Sequence, residues 1–332
     1  ASNTVLEAQV PYASEALADM VGPDDIVACS DGTARRMAVT AYLRASTLLA
    51  GSGRNDVEAF GFAITASLAS LTNKRGTHRA HIAMQTRTTT HTWFVELRKG
   101  ARTRDSEERV IADTAVNVLA QSLGVRSGPR EIATRDAVET ASANIVALFA
   151  GPADVCGTPG TAFLPGSFDP LHDGHSQMQA DASRRIGRPV QFELCVRNVD
   201  KPPLDFIEVA CRRKQFADAE IVVTNTPTFV EKAKLLSQGN GITFVVGTDT
   251  IKRIGESRYY LDDEARDAAL NELENLGTEF LVYGRLGDHG FETLNDLSLP
   301  DALNRISQGV SEQDFRVDVS SSEMRDNASV SA

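Results

Sequence analysis

The sequence predicts an α/β protein of two domains, the second built on a doubly wound parallel sheet. Three observations carry that prediction. The chain has 332 residues, and a single hydrophobic core rarely grows beyond about 250–300 residues. Residues 151–160, GPADVCGTPG, hold three glycines and two prolines, the composition of a linker, which puts a boundary near residue 155. Beyond it, short β-rich runs alternate with helical or irregular stretches, the pattern of parallel strands joined by crossovers. The expected division is a first domain over 1–125, a helix and linker over 126–158, and a second domain over 159–332.

The elements of the first part follow from periodicity. SDGTARRMAVTAYLRASTLLA carries Met37, Ala38, Ala41, Tyr42 and Leu48 at helical spacing, with Ser30 or Asp31 as N-cap. VEAFGFAIT, RAHIAMQT and HTWFVELRKG read as strands, the second with weak alternation and the third ending in an RKG turn. DSEERVIADTAVNVLAQSLGV reads as a helix: its first turn is acidic, its apolar residues are helically spaced, and Gly124 stops it. After the break RSGPRE, the stretch IATRDAVETASANIVALFAG is expected to be one further helix. In the second part TAFLP precedes a helix over HSQMQADASRRIG, on which His175, Met178, Ala182 and Ile186 share a face and which Gly187 and Pro189 end. QFELCV, EIVVTNT, TFVVG and FLVYGR supply the remaining strands.

Composition narrows the function classes. Hydrophobic residues make up 42% and charged residues 24%, the balance of a soluble globular protein. No apolar run approaches the ~20 residues that span a bilayer, and no N-terminal signal pattern is visible, so no membrane partner is expected. A net charge of −11 argues against non-specific nucleic-acid binding, which depends on neutralising phosphates. Small anionic substrates need only a local positive cluster. Cys29, Cys156, Cys195 and Cys211 are scattered without zinc spacing; free, mostly buried thiols in the cytoplasm are expected. The chain starts at Ala1 without a methionine, so processing or an upstream segment is expected.

The densest chemistry is PGSFDPLHDGH, residues 165–175. It follows an apolar run and opens a helix, and in an open parallel sheet ligands bind outside the carboxyl ends of strands. Gly166 and Gly174 let backbone approach a ligand, and the helix start presents unpaired N–H groups to an anion. His172 and His175, three residues apart, can donate to phosphate oxygens. A turn with two solvated histidines and a metal pair are the alternatives, although no further ligand of metal spacing completes a site.

GSFDPLHDGH resembles the GxFxPxHxGH signature of the nucleotidylyltransferase superfamily, which includes nicotinamide-mononucleotide adenylyltransferases, phosphopantetheine adenylyltransferases and cytidylyltransferases. VSSSEMR, Val319 to Arg325, resembles the superfamily's ISSTxxR motif, with Ser322 in the threonine place. Ser320 and Glu323 also fit a capping box. VVGTDT resembles the GxD element of the nicotinamide-nucleotide branch, with an N-cap as the alternative role of Asp249. The resemblance implies a Rossmann-like domain that transfers a nucleotidyl group from a nucleoside triphosphate, ATP first, to a phosphorylated acceptor such as nicotinamide or nicotinate mononucleotide, releasing pyrophosphate. Mg²⁺ bridging the triphosphate is the implied cofactor. His172 and His175 are expected at the α- and β-phosphates, and Ser321, Ser322 and Arg325 at the β- and γ-phosphates. Gly166, Ser167, Phe168, Gly174, Gly247, Asp249 and Ser320 complete the expected nucleotide site. Lys201, Arg212, Thr228, Phe229 and Tyr259 are the expected acceptor contacts, a solvated lysine and a core phenylalanine being the alternatives for Lys201 and Phe229. Relatives that bind nicotinate nucleotides often carry a tryptophan after GxD; here Tyr259 and Tyr260 are the nearest aromatics and the sole tryptophan is Trp93. A cytidylyltransferase for another phosphorylated metabolite, or a nucleotide-binding regulatory protein without turnover, are the competing readings.

The first part resembles another family. ASNTVLEAQVPYASEALADMVG and RTRDSEERVIADTAVNVLAQSL are similar to segments of the competence-damage (CinA) family, whose C-terminal domain is a nicotinamide-nucleotide amidase. The whole chain resembles the CinA-like/nucleotidylyltransferase fusion proteins of plants and bacteria. The nucleophilic serine of that amidase lies in a segment before the point where this chain starts. The glycine-rich loop is replaced by ITASLASLTNKRGTHR, which keeps Thr65, Ser67, Lys74, Arg75 and Arg79. The first domain is therefore expected to be incomplete, degenerate and without amidase activity, serving homo-oligomerisation or regulation. His78 and His81 are expected at the surface rather than on a metal.

Overall fold

The computed structural model describes residues 4–23, 26–54, 57–70, 76–125, 134–151, 154–197, 199, 202–217, 220–237, 239–287 and 290–317. The fold is mixed α/β, and its contacts cluster into two units: residues 1–146 with 200–210, and residues 147–199 with 211–332.

In the first unit, α1 (Ser14–Val21) and α2 (Asp31–Gly51) precede β1 (Gly61–Ser67), β2 (His78–Gln85) and β3 (Thr89–Leu97), followed by α3 (Arg104–Ser122) and β4 (Thr134–Thr140). Ser30 caps α2 by accepting from the Thr33 N–H at 3.2 Å, and Thr103 caps α3 by accepting from Ser106 at 3.3 Å. The strands form an antiparallel meander in the order β1-β2-β3-β4. Its two faces are both covered. Ala63 and Ala83 pack with Leu17, Val21, Ala34, Met37 and Ala38 of α1 and α2. Ile82, Met84, Trp93 and Val95 pack with Val110, Ile111, Ala115 and Val118 of α3. Burial on both faces is why β2 alternates so weakly in sequence. A methyl group at Gly61 would lie 1.9 Å from the Ala38 carbonyl oxygen and 2.4 Å from the Tyr42 nitrogen, so α2 rests on the β1 backbone itself. Asp205, of the 200–210 segment, is wholly buried and pairs with Arg35 of α2.

One sequence expectation is corrected here. Residues 132–151 do not form a single helix: β4 covers Thr134–Thr140, and α4 (Ala143–Ala150) starts after it. The reason is tertiary. β3 has an open edge, and Thr89 to Val95 pair antiparallel with Thr140 to Thr134. The β-branched Val138 and Thr140 suit a strand, so pairing outweighs the helical pattern.

The second unit contains β5 (Val155–Cys156), β6 (Ala162–Pro165), α5 (Asp173–Ile186), β7 (Gln191–Cys195), the end of α6 (Phe206–Arg213), β8 (Ile221–Thr224), α7 (Phe229–Leu236) and β9 (Ile242–Gly247). Then come α8 (Thr248–Gly255), α9 (Asp263–Asn275), β10 (Thr278–Tyr283), the hairpin of β11 (Arg285–Gly287) and β12 (Gly290–Glu292), α10 (Asp301–Arg305) and β13 (Ser307–Val310). The main sheet has seven strands in the order β13-β10-β9-β6-β7-β8-β5. β5 pairs antiparallel to β8, so the glycine-rich linker contributes an edge strand. The other six are parallel. Numbered in chain order, they run 3-2-1-4-5-6, the doubly wound order. One face carries Phe163, Val222, Phe244, Val246, Phe280 and Val282 against Ala233 and Leu236 of α7, Ile251 of α8, Leu270 of α9 and Leu303 of α10. On the other, Tyr283 donates to Asp181 of α5 at 2.8 Å. Among the described residues no helix is long and apolar enough to cross a membrane. The four cysteines are thiols outside any disulfide, as expected, but Cys29, Cys156 and Cys195 are only half-buried and Cys211 is exposed.

Candidate functional site

In the doubly wound order the strand sequence reverses at β6, so the carboxyl ends of β6 and β9 form the topological switch point, the position at which sheets of this order generally bind ligands. Ala162 and Phe163 pair with Thr243 and Phe244. Continued along both strands, that register sets Gly166 level with Gly247. The histidine segment and the GxD element thus leave adjacent strands at the same height.

The loop from β6 to α5 is held from below and from the side. Gly166 N–H donates to the Glu193 carbonyl of β7 at 3.0 Å. Phe168 has φ +48°, a left-handed conformation that costs a side-chain-bearing residue on the order of 1–2 kcal/mol. Its ring is buried edge-on against His175, Phe192 and Phe216, at 5.2, 5.3 and 5.2 Å, and that packing offsets the strain. A methyl at Gly166 would lie 2.7 Å from the Phe168 ring, which explains the glycine. Gln215 brackets the loop with its amide, accepting from Leu171 N–H at 2.8 Å and donating to the Phe168 carbonyl at 2.9 Å. Arg212 donates to the Ser167 carbonyl at 2.9 Å and faces Asp169 at 3.5 Å.

His172 is the N-cap residue of α5, with φ −141° and ψ 168°, and it forms a capping box with His175 at the third helical position. Its N–H donates to Nδ1 of His175 at 3.3 Å, and the two rings stack at 3.8 Å. An imidazole whose Nδ1 accepts carries its proton on Nε2. Burial, and then the neighbouring His172, push the His175 pKa down to about 4. Burial also lowers that of His172, partly countered by Asp173. Both rings are neutral N–H donors near pH 7. Nδ1 of His172 is buried with no hydrogen-bond partner among the described residues. At Gly174 a methyl would lie 3.0 Å from the His172 ring and 3.2 Å from Val317 Cγ1.

The depressed His175 pKa has a consequence for stability. Between about pH 6.5 and about 4, the unfolded chain binds a proton at His175 that the folded chain does not. Stability is therefore full above that window and falls as the pH drops through it. Allowing for solvent screening of a partly exposed ring, the loss is about 2 kcal/mol. Urea midpoints at pH 7 and pH 4.5 should fall less in His175→Gln than in the parent. An equal fall in both would refute the assignment.

Val317 is reached through a clamped strand of chain. Asp314 faces Arg185 of α5 at 3.8 Å, the Phe315 ring meets Tyr283 edge-on at 4.8 Å, and the Arg316 guanidinium lies 5.5 Å from the Phe291 ring centre. Beneath it, the Asp181 carboxyl is pushed up by burial, but the hydrogen bonds from Arg185 and Tyr283 outweigh this and hold it below the usual range. Burial, with the bond to Asp181, raises the pKa of Tyr283.

The remaining expected residues divide. Gly247 caps the start of α8, beside the crevice. Asp249 is exposed and paired with Arg285 of β11. Thr228 is the N-cap of α7, its hydroxyl shared with Glu231 at 2.8 Å. The ring of Phe229 is committed to the core, 5.1 Å from Phe244 and 5.6 Å from Phe280. Tyr259 follows the last turn of α8, under Arg258 at 4.7 Å. Eight residues of helix, about 12 Å, separate it from Gly247. Arg212 is occupied by the histidine loop rather than turned to an acceptor. Lys201, Ser320, Ser321, Ser322 and Arg325 lie outside the described residues. Gln215, Tyr283 and Phe315 were missed, because residues that support a loop from distant elements leave no local pattern.

In the first unit, His78 is not at the surface. It is buried, with Nδ1 2.8 Å from Oε1 of the fully buried Glu107, whose other oxygen accepts from Ala69 N–H at 2.7 Å. His81 is half-buried beside Phe94, at 5.1 Å. Residues three apart on a strand point to opposite faces, so the two imidazoles cannot share a metal. Thr65 donates to the Ala28 carbonyl and Arg79 to that of Cys29 at 3.3 Å; Lys74 and Arg75 lie outside the described residues. A scan against models of known protein families finds no match to the chain, and a search of curated proteins finds none either.

Proposed function

We propose that the second unit is a Rossmann-like nucleotidylyltransferase domain that moves a nucleotidyl group, adenylyl first, onto a phosphorylated acceptor of the nicotinamide or nicotinate mononucleotide class. The observation that carries this reading is the start of α5 at the switch point: a helix N-terminus whose capping residues are two stacked, neutral imidazoles. A helix N-terminus attracts phosphate through its first-turn N–H groups and its dipole. Nε2–H of His175, fixed by the bond to its Nδ1, adds a directed donor. Orphaned Nδ1 of His172 marks a polar group that a ligand or water would satisfy.

In this reading an acceptor phosphate oxygen attacks the α-phosphorus in line. The bond from α-phosphorus to the bridging oxygen breaks as the new one forms, and pyrophosphate leaves with the electron pair. No proton transfer and no covalent enzyme intermediate are needed. The chain's own part is positioning and neutralisation of charge. His172 and His175 act at the α- and β-phosphates, and Ser321, Ser322 and Arg325 at the β- and γ-phosphates. Mg²⁺ retains most of its waters and binds through substrate phosphates. In this reading it would arrive with the triphosphate, as part of the substrate. The first unit is read as a degenerate CinA-like domain that serves self-association.

Pyrophosphate release should be measured with ATP, CTP, GTP and UTP, each with and without nicotinamide mononucleotide. ATP with the mononucleotide is expected to give pyrophosphate and the dinucleotide in equal amounts. Preference for CTP would make the protein a cytidylyltransferase, and nucleotide binding without pyrophosphate would make it a sensor. Ammonia release from nicotinamide mononucleotide is not expected.

A further inference from the structure

We infer that β4 is a self-pairing edge: two copies of this chain join antiparallel through residues 134–140, centred on Ala137, and so merge two four-stranded sheets into one. The inference gives a surface to the self-association read for the first unit, and rests on that reading. β4 ends the sheet of that unit, and among the described residues no strand lies beyond it. Arg135, Asp136, Ala137, Val138 and Thr140 are all exposed, Val138 to 56%. The opposite edge is better covered, since in β1 only Ile64 and Ala66 are exposed. An uncovered edge of seven residues is a template for another strand.

The ladder with β3 sets which backbone groups are on offer. Ala141 N–H donates to the Thr88 carbonyl at 2.9 Å, on the register that pairs Thr89 with Thr140. In an antiparallel ladder, hydrogen-bonded and non-hydrogen-bonded pairs alternate. Arg135, Ala137 and Glu139 therefore bond to β3, while Asp136, Val138 and Thr140 turn their N–H and C=O groups outward.

The sequence of β4, TRDAVET, points to a second copy as the occupant. A slip of one residue would put every side chain on the wrong face, so the twofold axis must pass through a residue. Centred on Ala137, it pairs all seven residues. Arg135 then stands opposite the partner's Glu139, and Glu139 opposite the partner's Arg135, which makes two pairs of opposite charge. The Arg135 guanidinium lies 4.5 Å from the centre of the Phe94 ring, which holds it on the face that those pairs share. Asp136 and Val138 lie opposite each other and exchange backbone bonds. Moving the axis to Asp136 would set that carboxylate against its own copy. Moving it to Val138 would leave residues 134 and 135 beyond the end of the partner strand and break both charge pairs. Charges along an edge keep foreign strands away; the order of these charges fits a second copy of the same strand.

Sedimentation equilibrium of the full chain should show a dimer. Val138→Pro removes an outward N–H and none of the bonds to β3, so it should sediment as a monomer with an unchanged circular dichroism spectrum. Arg135→Glu sets like charges opposite each other and should raise the dimer dissociation constant about tenfold; adding Glu139→Arg should restore it. Ala137→Cys places a thiol on the axis, in a non-hydrogen-bonded pair with Cα atoms about 4.5 Å apart, and mild oxidation should link two copies at position 137, identified by peptide mass. If Val138→Pro loses its fold, the link and the charge swap decide. A dimer that gives no link at position 137, or one that Arg135→Glu leaves as tight as the parent, overturns this interface and leaves self-association to another surface. A parent that stays monomeric overturns both the interface and the reading on which it rests.

Discussion

His175→Ala is expected to lower kcat by 10²- to 10³-fold while leaving the protein folded. The ring is held on three sides: it stacks on His172, meets Phe168 edge-on, and accepts from the His172 N–H. That leaves Nε2–H as a donor of fixed direction at the start of α5. A fixed donor that meets charge only as it develops acts on the transition state, and removal of one such donor costs about 2.7–4 kcal/mol in known acyl-transfer sites. Because α5 keeps its hydrogen bonds and Phe168 keeps Phe192 and Phe216, the fold survives. Pyrophosphate release together with far-ultraviolet circular dichroism checks both halves of this expectation. A folded variant with near-parental turnover would falsify the role of His175.

The second large effect is on stability. Gly61→Ala is expected to destabilise the chain by about 3–5 kcal/mol, since the new methyl would lie 1.9 Å from a backbone carbonyl oxygen that no side-chain rotation can move. α2 must lift from β1, and the packing of Ala34, Met37 and Ala38 on Ala63 and Ala83 goes with it. Gly247→Ala is the matched control, because a methyl there meets nothing within 4 Å. Urea unfolding of both should show a large loss in the first and little change in the second. Equal midpoints would mean that α2 and β1 sit farther apart than described.

Much of this was legible before any coordinates. The caps Ser30 and Gly187, the acidic first turn of α3 and the five runs from TAFLP to FLVYGR are local signals, and each marks the element it predicts. What escaped depends on partners distant in sequence. β4 is a strand because β3 offers an edge, and His78 is buried because Glu107 lies across from it. Phe168 was expected to touch a nucleotide, yet its ring is 1% exposed and supports His175 from beneath. Motif spacing locates such a residue without saying which way it faces.

The strand that carries the histidine loop is the fourth of seven in its sheet, with three strands on either side. Amide hydrogens on β6 and β9 can exchange with solvent only through the most extensive openings of the sheet, whereas those on β5 and β13 need only local fraying. The loop after β6 is tied by side chains and single backbone bonds, from Gln215, Arg212 and Glu193, rather than by a strand ladder. Its amides should therefore exchange over shorter times than those of the strand it springs from, because these bonds can open without opening the sheet. A ligand that settles on α5 would appear in a deuterium-exchange record as slowing confined to the loop and the first turn of the helix, over a background already slow.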